Sequence, residues 1–164
     1  MKSECLEIYK KTGTPQDPQK ELLRGEQNLI PSYDASCNKF PKSVVTASSL
    51  DEIKQEKKLA SLWKHEDIPV RRMYLWVLKD EKIFIAHEAI PVDSDRGFIC
   101  HSNITAGEKA IIGGELWFLK EADGNIKVYI NFDSGRYKTV DAVKQYPLVI
   151  DLFKCVGYTV DKLV

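Results

Sequence analysis

The sequence predicts an α+β fold: an antiparallel sheet of two hairpins plus a linking strand, with N-terminal helices and a C-terminal helix packed on one face of it. Three observations lead there. Apolar, aromatic-rich runs separated by polar turns fill residues 70–137, while helical spacing of apolar residues is confined to the flanks, 1–66 and 139–157. Strands segregated from helices argue α+β rather than alternating βαβ units. A chain of 164 residues with 43% hydrophobic and 29% charged residues suits one globular domain, 1–164, able to bury a core of its own.

The elements follow in order. Asp17-Pro18 reads as a helix cap followed by proline at the first helical position, with the helix running to about Arg24 and ended by Gly25. The stretch from Asn28 to Phe40, with Pro31, Ser32, Asp34, Ser36 and Asn38, carries loop chemistry. Ser49-Leu50-Asp51-Glu52 has the form of a capping box, and Leu50, Ile53, Leu59, Leu62 and Trp63 then give an apolar stripe. Lys54, Lys57, Lys58 and Lys64 are expected on the solvated face.

Met73–Leu78 and Lys82–His87 are expected to pair across the polar turn Lys79–Glu81, and Ala110–Leu119 with Asn125–Asn131 across Asp123-Gly124. Gly97–His101 is read as the linking strand. A last helix starts near Val140, with Val143, Val149, Ile150, Phe153 and Val156 on one face, Pro147 kinking or restarting it and Gly157 ending it.

Charge and cysteine usage narrow the partners and the compartment. Lys plus Arg and Asp plus Glu are both 24, so no nucleic acid and no acidic membrane surface is expected as a partner. Cys5, Cys37, Cys100 and Cys155 form no Cys-x-x-Cys pair, and four free thiols in a reducing, cytoplasmic setting are expected. Met1–Tyr9 has no apolar run, so no secretory signal is expected.

Candidate chemistry is sparse. His65 is expected on the surface and His87 closes a strand. His101 stands where an apolar run meets a polar loop, the position at which sites gather. Cys100 beside it is read as buried and inert. No histidine or cysteine spacing matches a metal site, and none is expected; the sequence identifies no cofactor. Gly113-Gly114 within a strand marks a bulge or a close approach of a ligand to the backbone. Glu115 after it is a candidate general base or ribose-hydroxyl acceptor. Ser134-Gly135-Arg136-Tyr137 offers backbone amides, a hydroxyl and a guanidinium to an anion.

Taken together, His101-Ser102-Asn103, Gly113-Gly114-Glu115 and Ser134-Gly135-Arg136-Tyr137, after the strands Met73–Leu78 and Lys82–His87, resemble a domain of bacterial toxin and effector proteins. That domain carries His-Ser-Ser, Ala-Gly-Glu and Ser-Gly-His-Tyr in this order, and the resemblance covers about half the chain. It implies an effector context, with delivery into a host or target cell, and no defined reaction. Two positions depart from the pattern, Asn103 for serine and Arg136 for histidine. A guanidinium does not release its proton at working pH, so Arg136 cannot replace a histidine acid or base, though it can bind phosphate.

The expected activity is a transferase acting on a nucleotide or another phosphate-bearing substrate. His101 and Glu115 would move protons, and Ser102, Ser134, Gly135, Arg136 and Tyr137 would bind. The alternative is a non-catalytic module, or a degenerate enzyme, that binds a protein partner. An enzyme requires His101, Glu115 and Arg136 to converge on one concave pocket; a docking module leaves them scattered.

Overall fold

The computed structural model describes residues 1–164 apart from Asn38, Lys39 and Trp63. The predicted loop position Asn38 and the predicted stripe residue Trp63 therefore lie outside the described residues. The fold is α+β. Its sheet is formed by β1 (Tyr33–Asp34), β2 (Thr46–Ala47), β3 (Tyr74–Lys79), β4 (Lys82–His87), β5 (Ile112–Lys120), β6 (Ile126–Ile130) and β7 (Val160–Lys162). The order is β1-β4-β3-β5-β6-β7, with β2 pairing in parallel to the far end of β5. The helices are α1 (Ser3–Lys11), α2 (Leu50–Ser61), α3 (His101–Thr105) and α4 (Ala142–Cys155), with a 3-10 turn at His65–Asp67.

Both predicted hairpins form. β3 and β4 pair antiparallel from Tyr74–His87 to Lys79–Lys82. Asp80 and Glu81 take φ of 51° and 61°, as a two-residue turn of mirror-image type requires. β5 and β6 pair antiparallel from Leu116–Ile130 to Lys120–Ile126. β3 also pairs with β5, Tyr74 with Leu116 through Leu78 with Ile112, and so joins the two hairpins directly.

The linking strand does not exist. Phe98 makes an isolated bridge to Pro91, and His101 opens α3. The Asn103 side chain captures the Cys100 N–H through Oδ1 at 3.0 Å and turns the chain into a helix. The predicted helix from Asp17 to Arg24 is also absent. Gln16 exchanges both backbone hydrogen bonds with Ala110, and the Gln19 N–H donates to the Arg136 carbonyl. Long-range pairing thus takes the backbone groups a helix would have used.

Helices cover both faces of the sheet, not one. On the first face α1 and α4 pack over Trp76, Leu116, Phe118 and Ile130. Trp76 is fully buried and meets Phe153 and Phe132 edge to face at 5.5 and 5.7 Å. Cys5 and Cys155 are joined by a disulfide that ties α1 to α4. This overturns the reading of four free thiols; two ends of the chain too distant in sequence for any spacing rule meet in the fold. Cys37 and Cys100 are free, the first exposed and the second buried.

On the second face, α2 contributes Ile53 and α3 contributes Ile104 against Leu75, Val77 and Trp117. Ser49 caps α2, accepting from the Glu52 N–H, while the Glu52 carboxylate takes the Ser48 N–H. The stripe is shorter than expected: Leu62 is exposed, and Glu56 occupies a buried position where its carboxylate accepts the N–H groups of Arg72 and Met73 at the start of β3. In α4 the buried face is Gln145, Val149, Leu152 and Phe153; Val143 points to solvent. No helix among the described residues is long and apolar enough to cross a membrane.

Candidate functional site

A cleft of about 860 Å³ opens between α2, the loop 91–98, the start of α3 and the connection from β6 to α4. His101, Glu115, Ser134, Gly135 and Arg136 all line it. Five of the seven sequence candidates therefore gather at one concavity, Ser102 and Tyr137 lying outside its lining, although no direct bond among His101, Glu115 and Arg136 is formed.

His101 is the best-defined member. Its ring lies on the strand beneath it, and Nε2 donates to the Gly114 carbonyl at 2.8 Å, which fixes the tautomer and leaves Nδ1 with the lone pair. The two glycines permit this contact. A Cβ at Gly113 would sit 2.8 Å from the His101 ring, and one at Gly114 would sit 2.1 Å from the Asn131 carbonyl and 2.7 Å from the Trp76 indole. A ring and an indole of this chain, where a ligand was expected, thus make the close approach at Gly113-Gly114. Burial pushes the His101 imidazole down to about 4, with the nearby Arg96 guanidinium acting in the same direction, so the ring is neutral at physiological pH.

That neutrality couples to stability. The unfolded imidazole titrates near its ordinary value of 6.5, so the unfolded state binds the proton first as pH falls. The contribution is complete above pH 6.5 and is lost between there and about 4. At about 1.4 kcal/mol per unit this amounts to roughly 3 kcal/mol. His65, also held down by burial, adds in the same sense. Urea midpoints measured at pH 7 and pH 4.5 are expected to fall accordingly, and His101→Asn to flatten the dependence.

Glu115 is held rather than free. Its Oε1 accepts from Lys57 Nζ at 2.7 Å and from Asn131 Nδ2 at 2.8 Å, and Lys57 also reaches Asp133 at 2.7 Å. Lys57, expected on a solvated face, is instead half-buried and bridges two carboxylates on one wall of the cleft. Arg136 lines the cleft, but its guanidinium pairs with the buried Glu26 and donates to the Gln19 carbonyl.

Three candidates turn out to serve the fold. Ser102 is wholly buried, its hydroxyl against Cys100 Sγ at 2.9 Å. Tyr137 is wholly buried, and its hydroxyl donates to the Glu108 carbonyl and meets Thr105 Oγ1. Ser134 Oγ accepts the N–H groups of Arg136 and Tyr137, closing the turn that Gly135 occupies. Asn103 also has a structural task, donating to the carbonyls of Gly25 and Asn28.

The sequence reading missed a buried ionic cluster behind the cleft. Glu88, 1% exposed, faces Arg71 at 3.4 Å, Arg96 at 3.6 Å and His65 at 3.8 Å. Arg71 lies over the Phe98 ring at 3.8 Å. His65 is accordingly not a surface residue, and both it and Arg96 line the cleft. Only the charge clustering around 65–72 hinted at this, and it gave no pairing. Comparison with family models, with curated proteins and with solved structures finds no match to this chain.

Proposed function

We propose that the chain is an effector- or toxin-type protein whose cleft binds a nucleotide or another phosphate-bearing small molecule and transfers a group on it, with His101 as proton acceptor. The observation that carries the reading is the convergence of His101, Glu115 and Arg136 on one cleft, which favours a small-molecule site over a docking surface. His101 holds its acceptor nitrogen unprotonated at neutral pH and its ring fixed by Gly114. An anion bound alongside raises the basicity of that nitrogen toward the working range, so substrate binding and proton acceptance reinforce each other. Lys57 and Asn131 present Glu115 to substrate hydroxyls rather than leaving it as the base. The disulfide between Cys5 and Cys155 favours a protein that passes through an oxidising compartment over one confined to the reducing cytoplasm.

A thermal-shift screen against nucleotides, NAD and pyrophosphate tests the reading, followed by phosphorus NMR of any ligand that raises Tm. A stabilising ligand that is turned over by the wild type, and turned over about 10²–10⁴-fold more slowly by His101→Asn, supports it. The absence of any shift at millimolar ligand, or turnover that survives His101→Asn, overturns it.

A further inference from the structure

We propose that the substrate carries a second anionic group, the second phosphate of a bisphosphate, and that Lys54, Lys58 and Lys162 hold it in a groove adjoining the cleft; the assignment rests on the phosphate-binding reading above. The groove, of about 510 Å³, is walled by α2, by residues 131–133 after β6, by Tyr146 of α4 and by residues 162–164. Lys57, Phe132, Asp133 and Tyr146 line both it and the cleft, so the two concavities adjoin at the Lys57–Asp133 ion pair. Phe132 stacks on Tyr146 with ring centroids 3.8 Å apart. The junction therefore offers an apolar surface to a base or sugar ring that links two anionic groups.

Charge distinguishes the two concavities. Lys20, Lys57, Arg96, Arg136 and Lys138 are the cations lining the cleft. Glu26, Asp95, Glu115 and Asp133 stand against them, and Glu88 faces Arg96 from behind. The cleft is thus nearly neutral. Among the described residues, the groove is lined by Lys54, Lys57, Lys58 and Lys162 and by one acidic side chain, Asp133, which Lys57 takes. Counting the main-chain carboxylate of Val164 as well still leaves an excess of positive charge. Lys54, Lys58 and Lys162 enter no ion pair among the described residues. Glu52 and Glu56 of α2 are engaged with Ser48 and Arg72, and Asp161 beside Lys162 is taken by Lys127. Like charges four residues apart on a helix repel, and Lys54 and Lys58 stand so on α2. Lys162 of β7 joins them from the end of the sheet, its ammonium 4.5 Å from the Tyr146 ring centroid. Two elements remote in sequence thus bring three ammonium groups to one concavity, and a phosphate dianion relieves their repulsion.

The test uses the whole chain and two pairs of probes that differ by one phosphate, AMP with adenosine 3′,5′-bisphosphate and NAD with NADP, titrated by calorimetry at low ionic strength. In at least one pair the wild type is expected to bind the member with the extra phosphate about 10-fold more tightly, the combined worth of three ion contacts open to water. The triple variant Lys54→Gln/Lys58→Gln/Lys162→Gln is expected to lose that preference while AMP and NAD bind as they do to the wild type. All three side chains are exposed, and an unchanged Tm checks that the fold is kept. Lys54→Glu/Lys58→Glu, which leaves Lys162 over Tyr146, is expected to reverse the preference. Equal binding within both pairs by the wild type, or a preference that survives the triple variant, overturns the proposal and leaves the cleft reading intact. No binding of any of the four probes overturns both.

Discussion

Cys5→Ser and Cys155→Ser are each expected to lower the unfolding free energy by roughly 3–5 kcal/mol, the upper part of the range for removing a native disulfide. The bond closes a loop spanning 150 residues of sequence. Opening so long a loop returns a large amount of conformational freedom to the unfolded chain. Both sulfurs also lie at the junction of α1 with α4, where Tyr9, Val149 and Leu152 belong to the same core. Reduction should therefore loosen α1 before it disturbs the sheet, whose strand pairings do not involve that helix. Urea unfolding with and without dithiothreitol measures the effect. A thiol reagent added to the protein unfolded without reductant should count two thiols, Cys37 and Cys100; a count of four would show that the bond does not form. Without denaturant only the exposed Cys37 should react promptly.

Arg136→Ala is expected to destabilise the fold by roughly 3–5 kcal/mol, as breaking a buried ion pair does. Its partner Glu26 is 7% exposed at the side chain and also accepts the Leu23 N–H. Removal of the guanidinium strands a buried carboxylate and releases the Gln19 carbonyl, so segment 19–26 would detach from the turn between β6 and α4. The double variant Arg136→Ala/Glu26→Gln should recover part of the loss, because the uncompensated charge is gone. Chemical denaturation of the wild type, both single variants and the double variant closes the cycle. A loss under about 1 kcal/mol for Arg136→Ala would place this pair among ordinary surface ion pairs and return Arg136 to candidacy as a substrate ligand.

What could be read in advance follows from how local each signal is. The two hairpins were legible because Asp80-Glu81 and Asp123-Gly124 sit between the strands they join. The Ser49 cap was legible because its partner Glu52 is three residues away. β1, β2 and β7 were not, since two or three residues carry no periodicity and their partners are remote. The segment after Gly97 has strand-like residues, but a single side chain, Asn103, turns it into a helix.

The site divides in the same way. His101 and the glycines under it were accessible from chain position. Ser102, Ser134 and Tyr137 were read as ligand-facing because the sequence does not reveal which polar side chains a fold uses internally. Lys57 was placed on the solvated face because its partner is remote in sequence, Glu115 standing 58 residues away.

The loop that carries Arg96 is fastened to the N-terminal segment by Arg24, which reaches Asp93 at 2.9 Å and Asp95 at 3.1 Å. Both pairs are open to water, and Arg24 and Asp93 are more than half exposed. Dissolved ions therefore compete with this fastening directly, with a screening length of about 8 Å at physiological ionic strength. The Arg136–Glu26 pair, sheltered from solvent, does not share that sensitivity. Salt thus acts on this cleft unevenly: it weakens the Arg24 fastening of the loop that carries Arg96 and leaves the Arg136–Glu26 pair in place.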